Sequence, residues 1–168
     1  PTAYEILKDK LPPYAYTDIQ KQISRYAKDN LNNVTFIDSS DSLNNNKEEY
    51  IYYRTDHHQT MNGSFIVYKD IMKALGITPY EKDDFVLSEH KDDFFGTTWS
   101  KAPVSVKGDR IITYTPKFDI SYKVTYEDKG ITSDSLYVDE NLDIKDKYTY
   151  YLGGNNSIVT IKTSLENG

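Results

Sequence analysis

The chain has 168 residues, with 26 acidic against 20 basic side chains and a net charge of −6. A chain of this length can bury the core of one domain, whereas its acidic balance argues against nucleic acid as a partner. The absence of cysteine excludes disulfides and thiolate metal sites. No apolar run reaches the roughly 18 residues of a membrane span, and no charged and apolar leader is visible. The sequence leaves the oligomeric state open.

Tyrosine is the compositional outlier, with 16 copies against 6 phenylalanines and 1 tryptophan. Tyrosine favours β-strands because its ring has an apolar face and its hydroxyl tolerates water. We interpret the excess mainly as strand-forming residues. The alternative is a carbohydrate-facing surface, since planar amphipathic rings can stack on sugars.

The first 84 residues alternate predicted helices and strands. Residues 4–10 form a short predicted helix, and Thr17 with Gln20 makes a capping box that opens a second one. The buried stripe predicted for that second helix comprises Ile19, Ile23, Tyr26 and Ala27. The apolar run Val34–Ile37 is typical of a strand covered on both faces, and Asp38 follows at its carboxyl end.

A polar loop over residues 41–49 is predicted to lead into an extended segment, Tyr50–Tyr53. Thr60 then begins a helix that Gly76 closes. The apolar stripe of this helix follows spacings of four, three, four and three residues along Met61, Phe65, Tyr68, Met72 and Leu75. Helices that alternate with strands favour an α/β layer arrangement for residues 1–84.

From about residue 85 the apolar residues recur at every second position, most regularly over residues 119–127. Further strands are predicted over residues 110–115, 131–138 and 157–163, with glycine-containing turns between them. Residues 85–168 therefore read as an antiparallel β-rich portion, or as an insertion in the same α/β domain.

The candidate catalytic residues are concentrated in Tyr-Tyr-Arg-Thr-Asp-His-His-Gln-Thr, residues 52–60, where a predicted extended run leads into a helix. A carboxylate that orients an imidazole is the base half of a nucleophilic triad, and a carboxylate beside two imidazoles can also bind a metal. Asp56 and His58 are the candidate catalytic pair. Their place just before Thr60 predicts an exposed loop at a sheet edge, and a solvated loop without function is the alternative.

This segment, read as Tyr-Tyr-Arg-Thr-Asp-His-His-x-Thr-x-x-Gly, together with residues 94–102, Phe-Phe-Gly-Thr-Thr-Trp-Ser-Lys-Ala, resembles the DHHW protein family of Gram-positive bacteria. That family is similar to the SGNH-like alginate O-acetyltransferase group, and the resemblance covers about residues 1–166. It implies an SGNH-like three-layer α/β core, incomplete in this chain. It also implies that Asp56 orients His58 as the base of a Ser-His-Asp triad that cleaves or transfers an acyl group, namely acetyl, on a carbohydrate.

The same resemblance implies a protein outside the cytoplasm, secreted or membrane-anchored through a segment absent from this chain. Its expected partner is a cell-surface carbohydrate or an acyl donor, and no cofactor or metal is expected. His57, Arg54, Thr60 and Ser100 are the candidate substrate contacts or supports of the loop.

Two departures from the family pattern stand out. Gln59 occupies the position of the signature tryptophan, and the family's nucleophile, in an Asp-Ser segment after a strand, has no counterpart here. We therefore expect the nucleophile outside this chain, so that the chain alone is inactive. Among its own serines, Ser100 follows a glycine-containing loop and is a better candidate than Ser157 or Ser64.

Two other functions are compatible with the residues. Asp56, His57 and His58 could coordinate a divalent ion in a metal-dependent phosphoesterase, with Asp38 or His90 as a further ligand. His90 lies in a charged stretch, residues 88–93, that is predicted to be a solvated loop. The chain could alternatively be a non-catalytic carbohydrate- or partner-binding module at the cell surface, with the tyrosine-rich β half as its contact surface.

Overall fold

The computed structural model describes residues 7–15 and 19–165, and the chain divides into two compact units. One unit comprises Pro1–Tyr52 with Gln59–Tyr80, and the other comprises Tyr53–His58 with Glu81–Gly168. The first is mainly helical and the second contains two antiparallel sheets. The prediction of a mixed α/β protein is therefore confirmed. In the described part of the chain, no helix is long and apolar enough to cross a membrane.

The described residues of the first unit contain three α-helices. Their bounds are Ile19–Asn30 for α1, Ser40–Asn45 for α2 and Met61–Ala74 for α3. The predicted α3 is confirmed, because the Thr60 side chain accepts a hydrogen bond from the Gly63 amide and Gly76 has a φ of +71° just past its end. The hydroxyl of Ser42 donates to Asp70 at 3.0 Å and joins α2 to α3.

Several predictions for the first unit are wrong. Ile19, Ile23 and Tyr26 were expected to be buried but are 49%, 57% and 71% exposed, whereas Ser24 is the buried residue of α1. Apolar periodicity identifies the face of a helix that can be covered, but it does not supply the element that covers it. The capping box at Thr17 lies outside the described residues, as do residues 4–6 of the first predicted helix; Lys8–Lys10 form a short 3-10 helix.

The stretch between α1 and α3 also differs from expectation. Val34–Ile37 is not a strand, and Val34 is 61% exposed. Helix α2 lies in the stretch predicted as a polar loop. Tyr50–Tyr53 contributes a single antiparallel bridge, between Tyr52 and Gln59. A short apolar run becomes a strand only where a neighbouring strand takes up its backbone hydrogen bonds, and the pattern of the run does not reveal that neighbour.

The described residues of the second unit contain five strands and one short α-helix, together with short 3-10 helices at Lys82–Asp84, Asp139–Leu142 and Lys147–Tyr150. The bounds of the strands and the α-helix are Phe85–Phe94 for β1, Thr97–Lys101 for α4, Asp109–Pro116 for β2, Tyr122–Tyr126 for β3, Ile131–Ser133 for β4 and Val159–Thr163 for β5. Strands β1 and β2 form one antiparallel pair, and β3 lies between β4 and β5 in an antiparallel sheet of three. The predicted strands over 110–115, 119–127 and 157–163 are confirmed with small shifts, and the strand expected over 131–138 ends at Ser133.

The charged stretch from Ser88 to Asp93 was expected to be a solvated loop but forms part of β1, paired with β2 through irregularities at Lys91. Most side chains of this strand are exposed and their burial does not alternate, so a period of two does not reveal the strand in the sequence. The core behind this pair contains Phe94, Ile111 and Tyr114. Asp109, at the start of β2, is fully buried.

Candidate active site

The Asp56 carboxylate accepts four hydrogen bonds within the second unit. Its Oδ1 accepts from the Thr97 amide at 2.7 Å and from the Thr97 hydroxyl at 2.9 Å. Its Oδ2 accepts from the His58 amide at 3.1 Å and lies 2.5 Å from the His58 Nδ1. Since the side chain is only 3% exposed, these donors replace water and fix the plane of the carboxylate.

Hydrogen bonding keeps Asp56 ionised. Burial by itself raises the pKa of Asp56, but the bonds from Thr97 and His58 outweigh burial and lower this pKa below its ordinary value. An ionised carboxylate can only accept, so the Nδ1 of His58 carries the proton of their shared hydrogen bond. In the uncharged form of the ring, Nε2 would keep its lone pair; 35% of the side chain is exposed. We call Asp56 and His58 the dyad.

His57 belongs to the same cluster but is held differently. Its Nδ1 lies 2.7 Å from the Thr97 hydroxyl and 3.6 Å from the Oδ1 of Asp56, and its side chain is 62% exposed. The Thr97 hydroxyl donates its only proton to Asp56. It therefore accepts the hydrogen bond from the Nδ1 of His57. The structure therefore brings the three predicted residues together around one carboxylate.

A tyrosine that sequence reasoning missed covers one face of His58. The ring of Tyr148 stacks on the imidazole with centroids 3.8 Å apart and planes 10° apart. Burial first, and the nearby Asp56 charge second, raise the pKa of Tyr148, so its phenol stays protonated. Tyr148 lies in a 3-10 helix, Lys147–Tyr150, and the only signal for it is the run Tyr148-Thr149-Tyr150-Tyr151. The strand interpretation of tyrosine holds for Tyr122 and Tyr126 in β3 but is wrong for this run.

A buried carboxylate fixes the backbone that precedes the dyad. The Oδ1 of Asp109 accepts from the Arg54 amide at 2.9 Å, and its Oδ2 accepts from the amide and hydroxyl of Thr55 at 2.7 Å and 2.5 Å. The loop closes where the Tyr53 amide donates to the His58 carbonyl at 3.3 Å. Asp109 was part of a turn signal in the sequence, and nothing local indicates that it anchors residues more than 50 positions earlier.

The segment from Phe94 to Ala102 packs directly on this loop. The Gly96 amide donates to the Thr55 hydroxyl at 3.1 Å, and the Trp99 amide donates to the Thr55 carbonyl at 2.9 Å. A Cβ on Gly96 would lie 2.2 Å from the Cβ of Asp56. Only glycine allows this approach, which in turn places the Thr97 donors on the carboxylate.

The remaining predicted site residues have other surroundings. Thr60 is fully buried in the first unit, where its hydroxyl donates to the Tyr50 carbonyl at 2.5 Å. The Arg54 side chain is exposed, as is Ser100, whose amide donates to the Gly96 carbonyl at 3.0 Å. Within residues 7–15 and 19–165, no serine hydroxyl is hydrogen-bonded to His57 or His58.

Gln59, which follows the dyad directly, belongs to the first unit. Its amide nitrogen lies 3.4 Å from the Tyr52 hydroxyl, and both side chains line a cavity of about 270 Å³ in that unit. Asp38 borders the same cavity and accepts a hydrogen bond from the Ser40 amide at 3.1 Å. Hydrogen bonds, chiefly from Ser40, lower the pKa of Asp38.

Asp56, His57 and His58 are also the candidate metal ligands. Ligand atoms of Asp56, His57 and His58 all lie within 4.8 Å of one another. Two ligands about 2.1 Å from a tetrahedral zinc are separated by about 3.4 Å, and since Oδ2 of Asp56 and Nδ1 of His58 are 2.5 Å apart, this pair of atoms would have to separate to bind one zinc ion together. The Nε2 of His90 is 2.9 Å from the Thr113 hydroxyl, within the β1–β2 pair.

Fold and site together define a mixed α/β protein whose candidate centre is a histidine oriented by a buried carboxylate. The chain belongs to the DHHW protein family, whose model matches residues 1–166. The predicted family membership is thereby confirmed.

Solved structures similar to this chain share its fold at low sequence identity. A DHHW family protein from Eubacterium siraeum is 21% identical with a TM-score of 0.73, and the match covers 92% of this chain and 55% of that one. Bacillus cereus PatB1 with a sulfonyl adduct is 21% identical with a TM-score of 0.71, covering 94% and 56%. A further PatB1 structure is 20% identical with a TM-score of 0.69, covering 94% and 58%. The chain thus spans slightly more than half the length of these proteins, and no curated protein sequence matches it.

Proposed function

We propose that this chain is part of an SGNH-like carbohydrate O-acyl esterase or transferase, acting on acetyl groups of cell-surface carbohydrate outside the cytoplasm. The observation that carries the proposal is the 2.5 Å contact between Oδ2 of Asp56 and Nδ1 of His58. This contact supports the Nε2 of His58 as the base and Asp56 as the group that orients it.

In the proposed reaction, the Nε2 of His58 removes the proton of a serine hydroxyl as that oxygen attacks the acyl carbonyl. The resulting imidazolium is stabilised by Asp56, and its Nε2 proton passes to the departing alcohol oxygen. Water or a sugar hydroxyl then gives its proton to Nε2 and attacks the acyl-enzyme; the bond between the acyl carbon and the serine oxygen breaks, and the Nε2 proton returns to that oxygen. A water acceptor defines an esterase, and a sugar acceptor defines a transferase. The serine is supplied from outside this chain, since no described serine is bonded to His58.

The likeness to PatB1 supports acyl transfer as the reaction class. One of the PatB1 structures contains a sulfonyl adduct, and sulfonyl electrophiles react with activated nucleophiles. At 21% identity this likeness establishes a common fold, so the activity proposed here rests on the dyad itself.

The test is turnover of p-nitrophenyl acetate by the full-length protein that carries this chain. His58→Ala and Asp56→Asn should each lower kcat by about 10²- to 10⁴-fold, because each removes the base or its orientation. His90→Gln is the matched control, since His90 contacts Thr113 within a strand pair, and it should stay within about threefold of the wild type.

A second readout uses an arylsulfonyl fluoride and the mass of the intact protein. One sulfonyl group should add to the wild type, and His58→Ala should slow this addition in parallel with turnover. Turnover that survives His58→Ala would overturn the proposal. Absent turnover, together with glycan binding that survives changes at Asp56 and His58, would favour a non-catalytic binding module instead.

A further inference from the structure

The imidazole of His58 lies between two other rings. Tyr148 covers one side with a centroid distance of 3.8 Å and an interplanar angle of 10°. His57 approaches with a centroid distance of 3.8 Å but is tilted by 38°. A ring held in this way cannot rotate about its side-chain bonds without losing the near-parallel Tyr148 contact.

Tyr148 is itself held by a group of tyrosines. Its ring makes edge contacts with Tyr53 at 6.2 Å and with Tyr151 at 5.6 Å. The Tyr151 hydroxyl donates to the Ile112 carbonyl in β2 at 2.6 Å and lies 3.3 Å from the Tyr53 hydroxyl. The face presented to His58 is therefore fixed to the strand that also carries Asp109.

The ring of Tyr148, and not its hydroxyl, makes the contact with His58. Among the described residues, no hydrogen-bond partner exists for the Tyr148 hydroxyl, whereas its ring is parallel to the imidazole. The π-face of a tyrosine or phenylalanine attracts a cation placed over it. When His58 takes up a proton, the positive charge develops directly against this face.

We propose that Tyr148 is a positioning residue that holds His58 in the plane of Asp56, shields their shared proton from water and stabilises the imidazolium formed during catalysis. This inference rests on the proposed function of the dyad. A cation–π contact of the usual strength corresponds to about 3- to 30-fold in rate. Because the charge would develop as the serine proton is transferred, the effect should fall on kcat and leave KM unchanged.

The test compares Tyr148→Phe with Tyr148→Leu in the full-length protein. Phenylalanine keeps the stacked face, and leucine fills much of the same space without one, which limits damage to folding. We expect Tyr148→Leu to lower kcat about 3- to 30-fold with KM unchanged. Tyr148→Phe should retain the wild-type kcat. Tyr122→Leu, in β3 of the same unit, is the control for loss of a tyrosine ring elsewhere.

A spectroscopic readout separates this inference from the proposed function. In protein labelled with ¹⁵N-histidine, the Nδ1 proton shared with Asp56 should give a resonance far downfield of the amides. It should persist in Tyr148→Phe and broaden through exchange with water in Tyr148→Leu. If leucine and phenylalanine give equal kcat and equal spectra, the role of Tyr148 is wrong while the dyad stands. If the wild type lacks the resonance and His58→Ala leaves turnover intact, the proposed function itself fails.

Discussion

Gly96→Ala is the substitution whose effect on stability the structure predicts most specifically. The backbone of Gly96 has a φ of −85° and a ψ of −163°, an extended conformation open to any residue. An alanine there is consequently not opposed by the backbone. Its Cβ, however, would lie 2.2 Å from the Cβ and 2.3 Å from the Oδ1 of Asp56.

The size of the effect follows from these distances. Carbon atoms in contact stay about 3.5–4.0 Å apart, so one of the two segments has to move by about 1.3 Å. A shift of that size breaks the bonds of 2.7 Å and 2.9 Å from Thr97 to the Asp56 carboxylate. A hydrogen bond to a charged group contributes about 1.5–3 kcal/mol, so losing both should cost about 3–6 kcal/mol of unfolding free energy.

Urea unfolding of the 168-residue chain, followed by the fluorescence of its one tryptophan, measures this cost. Trp99 is a local reporter because its amide donates to the Thr55 carbonyl at 2.9 Å. Gly130→Ala is the matched control, since Gly130 has a φ of +63° but no atom within 4 Å of the position that a Cβ would take, and it should cost about 1–2 kcal/mol. An unfolding free energy for Gly96→Ala no lower than that of the control would refute the close approach to Asp56.

Three further predictions concern the carboxylates and metal ions. The folded-state pKa of Asp56 is lowered, so its ionised form contributes stability above the ordinary pKa of about 3.9 that is lost as pH falls through the lowered value. The stability difference between the wild type and Asp56→Asn should therefore be constant near neutrality and shrink below about pH 4; a flat difference would contradict this. Asp109→Asn should cost about 2–4 kcal/mol, because an amide cannot accept all three bonds, whereas exposed Asp119→Asn should stay within about 0.5 kcal/mol in the same urea titration. Dialysis against a chelator should leave turnover of the full-length protein unchanged, and activity that is lost and then restored by zinc would contradict the shared-proton assignment of the dyad.

The structural features that could be predicted from the sequence are those determined by residues close together in the chain. Helix α3 has its cap at Thr60, its stripe and its closing Gly76 within one continuous stretch, and the cap and the closing glycine were confirmed. The central strand β3 alternates cleanly and pairs on both sides. The pairing of Asp56 with His58 also spans only two residues, so local spacing was enough to suggest it.

The parts that the sequence did not predict depend on residues far apart in the chain. Thr97 is 41 positions from Asp56, and Asp109 is 54 positions from Thr55. Tyr148 is farther still from His58, and its helix carries no pattern that points to an imidazole. The exposure of Ile23 in α1 has the same origin, because only tertiary structure decides whether an apolar face is covered.

The proposed choice of His58 over His57 as the base rests on one carboxylate that contacts both rings. A single negative charge stabilises one imidazolium directly, and the nearer ring gains most because the interaction falls with distance. The Nδ1 of His58 is 2.5 Å from Asp56, whereas the Nδ1 of His57 is 3.6 Å away and is bonded to the neutral Thr97 hydroxyl. His57 is also the more exposed ring, where water screens the charge further. In the proposed mechanism the imidazolium of His58 therefore has the shorter contact to Asp56 and the stacked face of Tyr148, whereas His57 has only the longer contact and is the more exposed ring, which makes His57 the better candidate for touching substrate.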